Sequence, residues 1–264
     1  MEPLYHIEKL DADKPTSTAP LSIGEINVNI WKDTARRAAS FPYMPSKKVY
    51  HVPHKILPAI YTSTHIEVTP EDTLDAAYRL INKGLNPCVL NFADDYDAGG
   101  IVDNGNSAQE ESLWRRTNLC STQLQKFYPL VENVQEGIYS PLVTVFKDTE
   151  ANGCVDLEKP WSTSFIAVPG LKYPHVNTQQ RLNADDVSSL LNKIELIFQT
   201  AHANGHDSII LGALGCGAWR SPPRHVAEIF RGLLGIYDGV FKHITFACLT
   251  RGPARNDSNY SIFR

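Results

Sequence analysis

Pro87-Cys88-Val89-Leu90-Asn91-Phe92-Ala93 runs through Asp94-Asp95-Tyr96-Asp97-Ala98 into Gly99-Gly100-Ile101-Val102-Asp103-Asn104-Gly105-Asn106-Ser107-Ala108-Gln109-Glu110-Glu111. The first seven residues form an apolar run short enough for a buried strand. The glycine-rich turn after it can bring bare backbone N–H groups up to a phosphate, and two consecutive carboxylates stand at the start of a helix. A phosphate cradle beside acid/base groups points to chemistry on a nucleotide-like ligand.

Outward from this stretch, helices and strands alternate. Thr69-Pro70-Glu71-Asp72 supplies an N-cap, a proline at the first helical position and acidic residues in the first turn, and Gly84 stands at the C-terminal cap, which predicts a helix over 70–83. Upstream, 23–40 reads as a helix ending at Arg36 and Arg37, preceded by a polar, flexible lead-in over 1–21. Residues 41–69 read as loops and short extended pieces. Downstream, 139–146, 165–168, 208–211 and 244–249 read as strands. A helix over 184–203 stops near Gly205, and Ser221-Pro222-Pro223 opens another to about residue 234. Strands apolar on both faces, separated by helices, imply a mostly parallel sheet covered on both sides, in one domain over 22–264. Ligands in such folds sit outside the carboxyl ends of the strands. Two glycine clusters fall there, Gly99-Gly100 with Gly105, and Gly212 with Gly215-Cys216-Gly217, and two such loops can embrace a diphosphate.

The composition narrows the class. The chain has 264 residues, 42% hydrophobic and 20% charged, which is ordinary for a globular domain. A net charge of −4 argues against a surface that holds bare DNA or RNA by phosphate neutralisation. Five cysteines, odd in number and without a CxxC pair, read as reduced thiols of an intracellular protein. No segment is long and apolar enough to span a membrane, and MEPLYHIEKL lacks a signal-peptide pattern, so the expectation is a soluble cytoplasmic or nuclear protein without membrane partners.

The two glutamates admit two readings. Ser107-Ala108-Gln109-Glu110 fits a capping box, and acidic residues favour helix N-termini, so both can be helix starters. Alternatively, one holds ligand hydroxyls while its neighbour transfers a proton. Side chains of helix neighbours diverge by about 100°, so they cannot share one proton and would have separate roles. Cys216 lacks the Gly-x-Cys-x-Gly frame of a nucleophile elbow and reads as a phosphate-loop or core thiol. His202 and His206 have i, i+4 spacing, but Gly205 lies between them, and they read as solvated residues, not metal ligands. Trp114 reads as core, Arg115 and Arg116 as a solvated face, and Phe246 and Cys248 as strand core.

Residues 91–111 resemble the signature of the poly(ADP-ribose) glycohydrolases, particularly the microbial-type catalytic domain. That pattern is three glycines, six to eight residues, then Gln-Glu-Glu. Here Gly99, Gly100 and Ile101 precede seven residues and Gln109-Glu110-Glu111. Ile138-Tyr139-Ser140-Pro141, Leu211-Gly212-Ala213-Leu214-Gly215-Cys216-Gly217-Ala218-Trp219 with Pro222-Pro223, and Ile244-Thr245-Phe246-Ala247 follow in the family's order, so the resemblance covers the chain from about residue 25 onward. It implies a macrodomain-like, three-layer α/β/α fold with a mixed, largely parallel central sheet and an N-terminal helical extension.

Carried over by residue, the resemblance makes Glu111 the catalytic acid/base and Glu110 the holder of ribose hydroxyls. Asp94, Gly99, Gly100, Ile101 and Gln109 would bind substrate from one side. Gly215, Cys216, Gly217 and Ala218 would form the opposing phosphate loop, and Trp219 would pack on the ribose; Phe246, read as strand core, has bordering an adenine pocket as its alternative. Breaking a ribosyl O-glycosidic bond needs a proton for the departing hydroxyl and a water for the anomeric carbon. Adjacent glutamates on one helix cannot flank that bond, so Glu111 alone would donate and then act as base, and neither metal nor cofactor is required. Two departures stand out. Ile101 replaces the third glycine, where a positive φ would be costly, and Asp94 replaces an asparagine, leaving an acceptor only.

The implied function is a poly(ADP-ribose) glycohydrolase that acts as a monomer on modified proteins and releases ADP-ribose. The alternatives are an ADP-ribose reader with little activity, or a hydrolase of mono-ADP-ribose on protein or nucleic acid.

Overall fold

Helix α1 (Ile23–Ala38) starts on a capping box: the Ser22 hydroxyl accepts from the Glu25 N–H, and the Glu25 carboxylate accepts from the Ser22 N–H at 2.8 Å. The computed structural model describes residues 20–131, 135–250 and 258–264. All but the last two residues of the lead-in expected over 1–21 therefore lie outside the described residues. After α1 come β1 (Lys47–Tyr50), β2 (His65–Thr69), α2 (Thr73–Asn82), β3 (Pro87–Phe92), α3 (Gln109–Arg116) and α4 (Leu119–Thr122). They are followed by β4 (Glu136–Lys147), β5 (Asp156–Val168), α5 (Ala184–Ala203), β6 (Ser208–Leu211), α6 (Pro223–Ile236), β7 (His243–Ala247) and α7 (Asn259–Phe263).

The seven strands form one sheet in the order β1-β4-β5-β3-β6-β7-β2. β5, β3, β6, β7 and β2 pair in parallel, while β4 runs antiparallel to both β1 and β5. Alternation along the strands sends side chains to two cores. Cys88, Leu90, Ile166, Ile209 and Ile244 pack with α5 and α6 on one face, and Val89, Phe165 and Ile210 pack with α1, α2 and α3 on the other. The result is three layers, α/β/α, with a mixed, largely parallel sheet, as expected. α5 buries Leu190, Ile194, Ile197 and Phe198 at helical spacing, each worth roughly 1.5–3 kcal/mol of apolar burial, so the covering helices hold the sheet far more firmly than surface pairs do.

Several expectations change. The second helix starts at Thr73, not at Pro70, because the Asp72 carboxylate caps the N–H groups of Leu74 and Asp75. β5 begins nine residues earlier than expected, since 156–162 is largely exposed and carries no apolar run. Arg115 and Arg116 are buried and not solvated: α3 is enclosed by α1, β3 and β4. Arg116 Nη1 reaches both Asp72 oxygens at 2.9 Å, and Arg115 pairs with Glu150 and donates to the Asn106 carbonyl at 2.5 Å. His206 is also buried, between the Tyr139 hydroxyl at 2.9 Å and the Asn86 carbonyl at 3.1 Å.

Candidate active site

The loop between β3 and α3 is braced from below. Asn27 of α1 donates to the Gly105 carbonyl and to the Ser107 hydroxyl, both at 2.9 Å, and Trp31 Nε1 donates to Asp103 at 2.6 Å. Ser107 is thereby committed to α1, and α3 begins on Ala108 with no side-chain cap, so the expected capping box does not form. Gly99 takes φ +83°, and a Cβ there would lie 2.5 Å from the Trp114 ring, which explains glycine at that turn.

Without the capping box, the Glu110 carboxylate turns toward β3. It accepts from Asn91 Nδ2 at 3.1 Å and from the Asp94 N–H at 2.6 Å, and burial pushes its carboxyl well above the usual range against these donors. Glu111, also buried, accepts from the Ile101 N–H at 3.2 Å. The two side chains leave the helix in different directions, yet both reach the same residue. A Cβ on Gly100 would stand 2.8 Å from Glu111 Oε1 and 3.3 Å from Glu110 Oε2. Gln109 faces the sheet instead. The pairing of β3 with β6 stops at Val89, and beyond it the Gln109 amide accepts from the Phe92 N–H at 2.9 Å and donates to the Leu90 carbonyl at 2.8 Å. Its side chain substitutes for a missing strand.

The second glycine loop follows β6. Its closing bonds run from Cys216 N–H to Ala213, from Arg220 N–H to Gly217 and from Ser221 N–H to Gly215. The N–H groups of Gly217, Ala218 and Trp219 take no hydrogen bond among the described residues, so three successive donors are available to an anion. Gly170 and Leu171, just past β5, press against Gly215 and Ser221. Next to them Lys172 spans both loops: its Nζ lies 2.9 Å from Asp95, 3.7 Å from Asp94 and 5.4 Å above the Trp219 ring.

Buried acids, a glycine turn and an open row of amides thus lie past the carboxyl ends of neighbouring strands β3 and β6, with Lys172 between them. Residues 28–148 match the family described as microbial-type PARG, catalytic domain. The chain resembles that family over this stretch, a little under half of its length. Among solved structures, the poly(ADP-ribose) glycohydrolase of Thermomonospora curvata is 27% identical, covering 90% of this chain and 98% of that chain at a TM-score of 0.78. The same enzyme bound to the inhibitor ADP-HPD gives 28% and 0.76. The poly(ADP-ribose) glycohydrolase of Deinococcus radiodurans in complex with ADP-ribose is 27% identical over 91% of this chain and 90% of that chain, with a TM-score of 0.66. No curated protein matches. The three-layer architecture is therefore macrodomain-like, as the resemblance implied.

The two departures from the family pattern take definite positions. Ile101 sits at φ −108°, so the strain expected of a positive φ does not arise, and its side chain is half exposed. Asp94 Oδ1 accepts from the N–H groups of Tyr96 and Asp97 at 2.8 and 2.9 Å, a turn that asparagine also makes. Cys216 contacts the Leu214 carbonyl, and burial pushes its thiol up to about 12, which disfavours the thiolate. Phe246 lies in the apolar layer against Phe230 and Phe263. Sequence reading missed Asn27, Trp31, Asn91 and Lys172. Each acts across 19 to 80 residues of chain, and no local pattern marks such partners.

Proposed function

We propose that this chain hydrolyses the ribosyl O-glycosidic bond of poly(ADP-ribose) and releases ADP-ribose, with Glu111 as the acid/base. The observation that carries this reading is the placement of the Glu111 carboxylate against the Ile101 N–H, with Glu110 buried beside it and Gly100 packed against both. The family match and the likeness to poly(ADP-ribose) glycohydrolases that bind ADP-ribose or ADP-HPD support the substrate class.

In this mechanism the free N–H groups of Gly217, Ala218 and Trp219 receive the diphosphate, and the 99–101 turn closes on it from the other side. Glu110 accepts hydrogen bonds from ribose hydroxyls and fixes the sugar, while Trp219 covers its face. Glu111, protonated, gives its proton to the departing ribose oxygen as the anomeric C–O bond breaks. The diphosphate stabilises the oxocarbenium-like charge, and the Glu111 carboxylate then takes a proton from the water that bonds to the anomeric carbon. Asp94 and Gln109 hold the turn and the strand end that carry these groups.

Glu111→Gln should bind ADP-ribose within about threefold of wild type by calorimetry and lose at least about 100-fold in release of ADP-ribose from an automodified polymerase. Full activity in that variant sinks the mechanism. Ile101, half exposed inside the motif, favours a second reading, an ADP-ribose reader: tight ADP-ribose binding by the wild type with no turnover of polymer or mono-ADP-ribosylated protein would establish it.

A further inference from the structure

At the opposite end of the sheet from the carboxylates, His65 and Glu67 stand two apart on edge strand β2, so their side chains leave the same face. The register partner of His65 on parallel β7 is His243, and that of Glu67 is Thr245. The two imidazole centroids are 4.6 Å apart, His243 Nε2 is 3.0 Å from Glu67 Oε1, and one ligand atom from each of His65, Glu67 and His243 lies within 4.8 Å of the others.

We propose that His65, Glu67 and His243 bind one divalent transition-metal ion of the zinc class, at a site separate from the active site. Two imidazoles and a carboxylate form a donor set that suits Zn²⁺, Ni²⁺ or Cu²⁺ rather than Mg²⁺ or Ca²⁺. Three protein ligands leave a fourth position for water.

Hydrogen bonding shapes the donor set. Glu67 accepts from Arg79 at 2.7 Å, from Thr245 at 2.8 Å and from His243 at 3.0 Å. All three donors meet Oε1, and Oε2 takes no hydrogen bond among the described residues. A cation held by His243 Nε2 takes the place of the hydrogen shared with Glu67 Oε1, the ring proton moving to Nδ1. Two nearby cations oppose the metal. The Arg79 guanidinium is shared with Glu71 at 2.5 Å, and Lys83 is exposed. A tetrahedral site needs ligand atoms about 3.3 Å apart, so the cluster must contract. His65 is exposed and can swing inward without disturbing the core. Metal there would tie edge strand β2 to β7.

The test is calorimetric titration of the chelator-treated full chain with ZnCl₂, alongside thermal unfolding with and without the salt. Wild type should bind one Zn²⁺ per chain at least about tenfold more tightly than His65→Ala, and only wild type should gain in Tm. His65 is exposed, so that variant should fold, and Glu67→Gln gives a second independent loss of binding. Equal Zn²⁺ affinity in wild type and His65→Ala, or no saturable binding in wild type, overturns the proposal.

Discussion

Gly100 is fixed both by its conformation and by its neighbours' side chains. At φ +60°, an added Cβ would be strained and would stand 2.8 Å from Glu111 Oε1 and 3.3 Å from Glu110 Oε2. Gly100→Ala should therefore push Glu111 off the Ile101 N–H: the far end of a flexible side chain yields, so circular dichroism stays native while turnover falls at least about tenfold. Glu110 makes a prediction in pH. Its carboxyl is held above the unfolded value by burial, so both states are protonated at low pH, and as pH rises the unfolded chain ionises first. Its contribution to stability is present below the unfolded pKa of about 4.5 and is lost as pH rises. Urea unfolding of wild type and Glu110→Gln at about pH 5.5 and pH 7.5 should show wild type losing ground to the variant at the higher pH.

At the scale of elements, Asp72 joins two helices. It caps α2 and, with the same carboxylate, pairs with the buried Arg116 of α3, the helix that carries both glutamates. Asp72→Ala removes a cap and leaves a guanidinium buried without its partner, so urea denaturation should show a loss of about 3–5 kcal/mol. This pairing also explains what local reading misplaced. Thr69-Pro70 is a sound helix-start signal, but a carboxylate bound by an arginine 44 residues away wins the cap. Ser107 was likewise a fair cap for α3 until Asn27 of α1 claimed its hydroxyl. Strands apolar on both faces were legible because burial writes itself into composition. The exposed first half of β5 leaves no such mark. The glycine turn and the two acids were legible as chemistry, whereas the divergent directions of Glu110 and Glu111 depended on which donors the sheet presents.

At the scale of the whole molecule, burial lowers the pKa of three histidines among the described residues: His206, His225 and His243. Each has a folded pKa below its unfolded value, so the unfolded chain takes up the protons first as pH falls. Stability should therefore decline below about pH 6.5, and most steeply in Glu110→Gln, where the opposing carboxyl is gone; urea midpoints across that range check it. His225 has a visible cause, since its Nδ1 accepts from the Leu182 N–H and loses that bond on protonation. The same burial shapes the sulfur chemistry. Cys88, Cys120, Cys154, Cys216 and Cys248 are unpaired, and burial raises every thiol, Cys120 to about 11 and Cys216 and Cys248 to about 12. The native chain should therefore react slowly with maleimide dyes at neutral pH, and Ile101 is half exposed beside Glu111. A single Ile101→Cys change would accept one fluorophore in a background that needs no cysteine removal, giving an optical reporter of ligand arrival beside the glutamates.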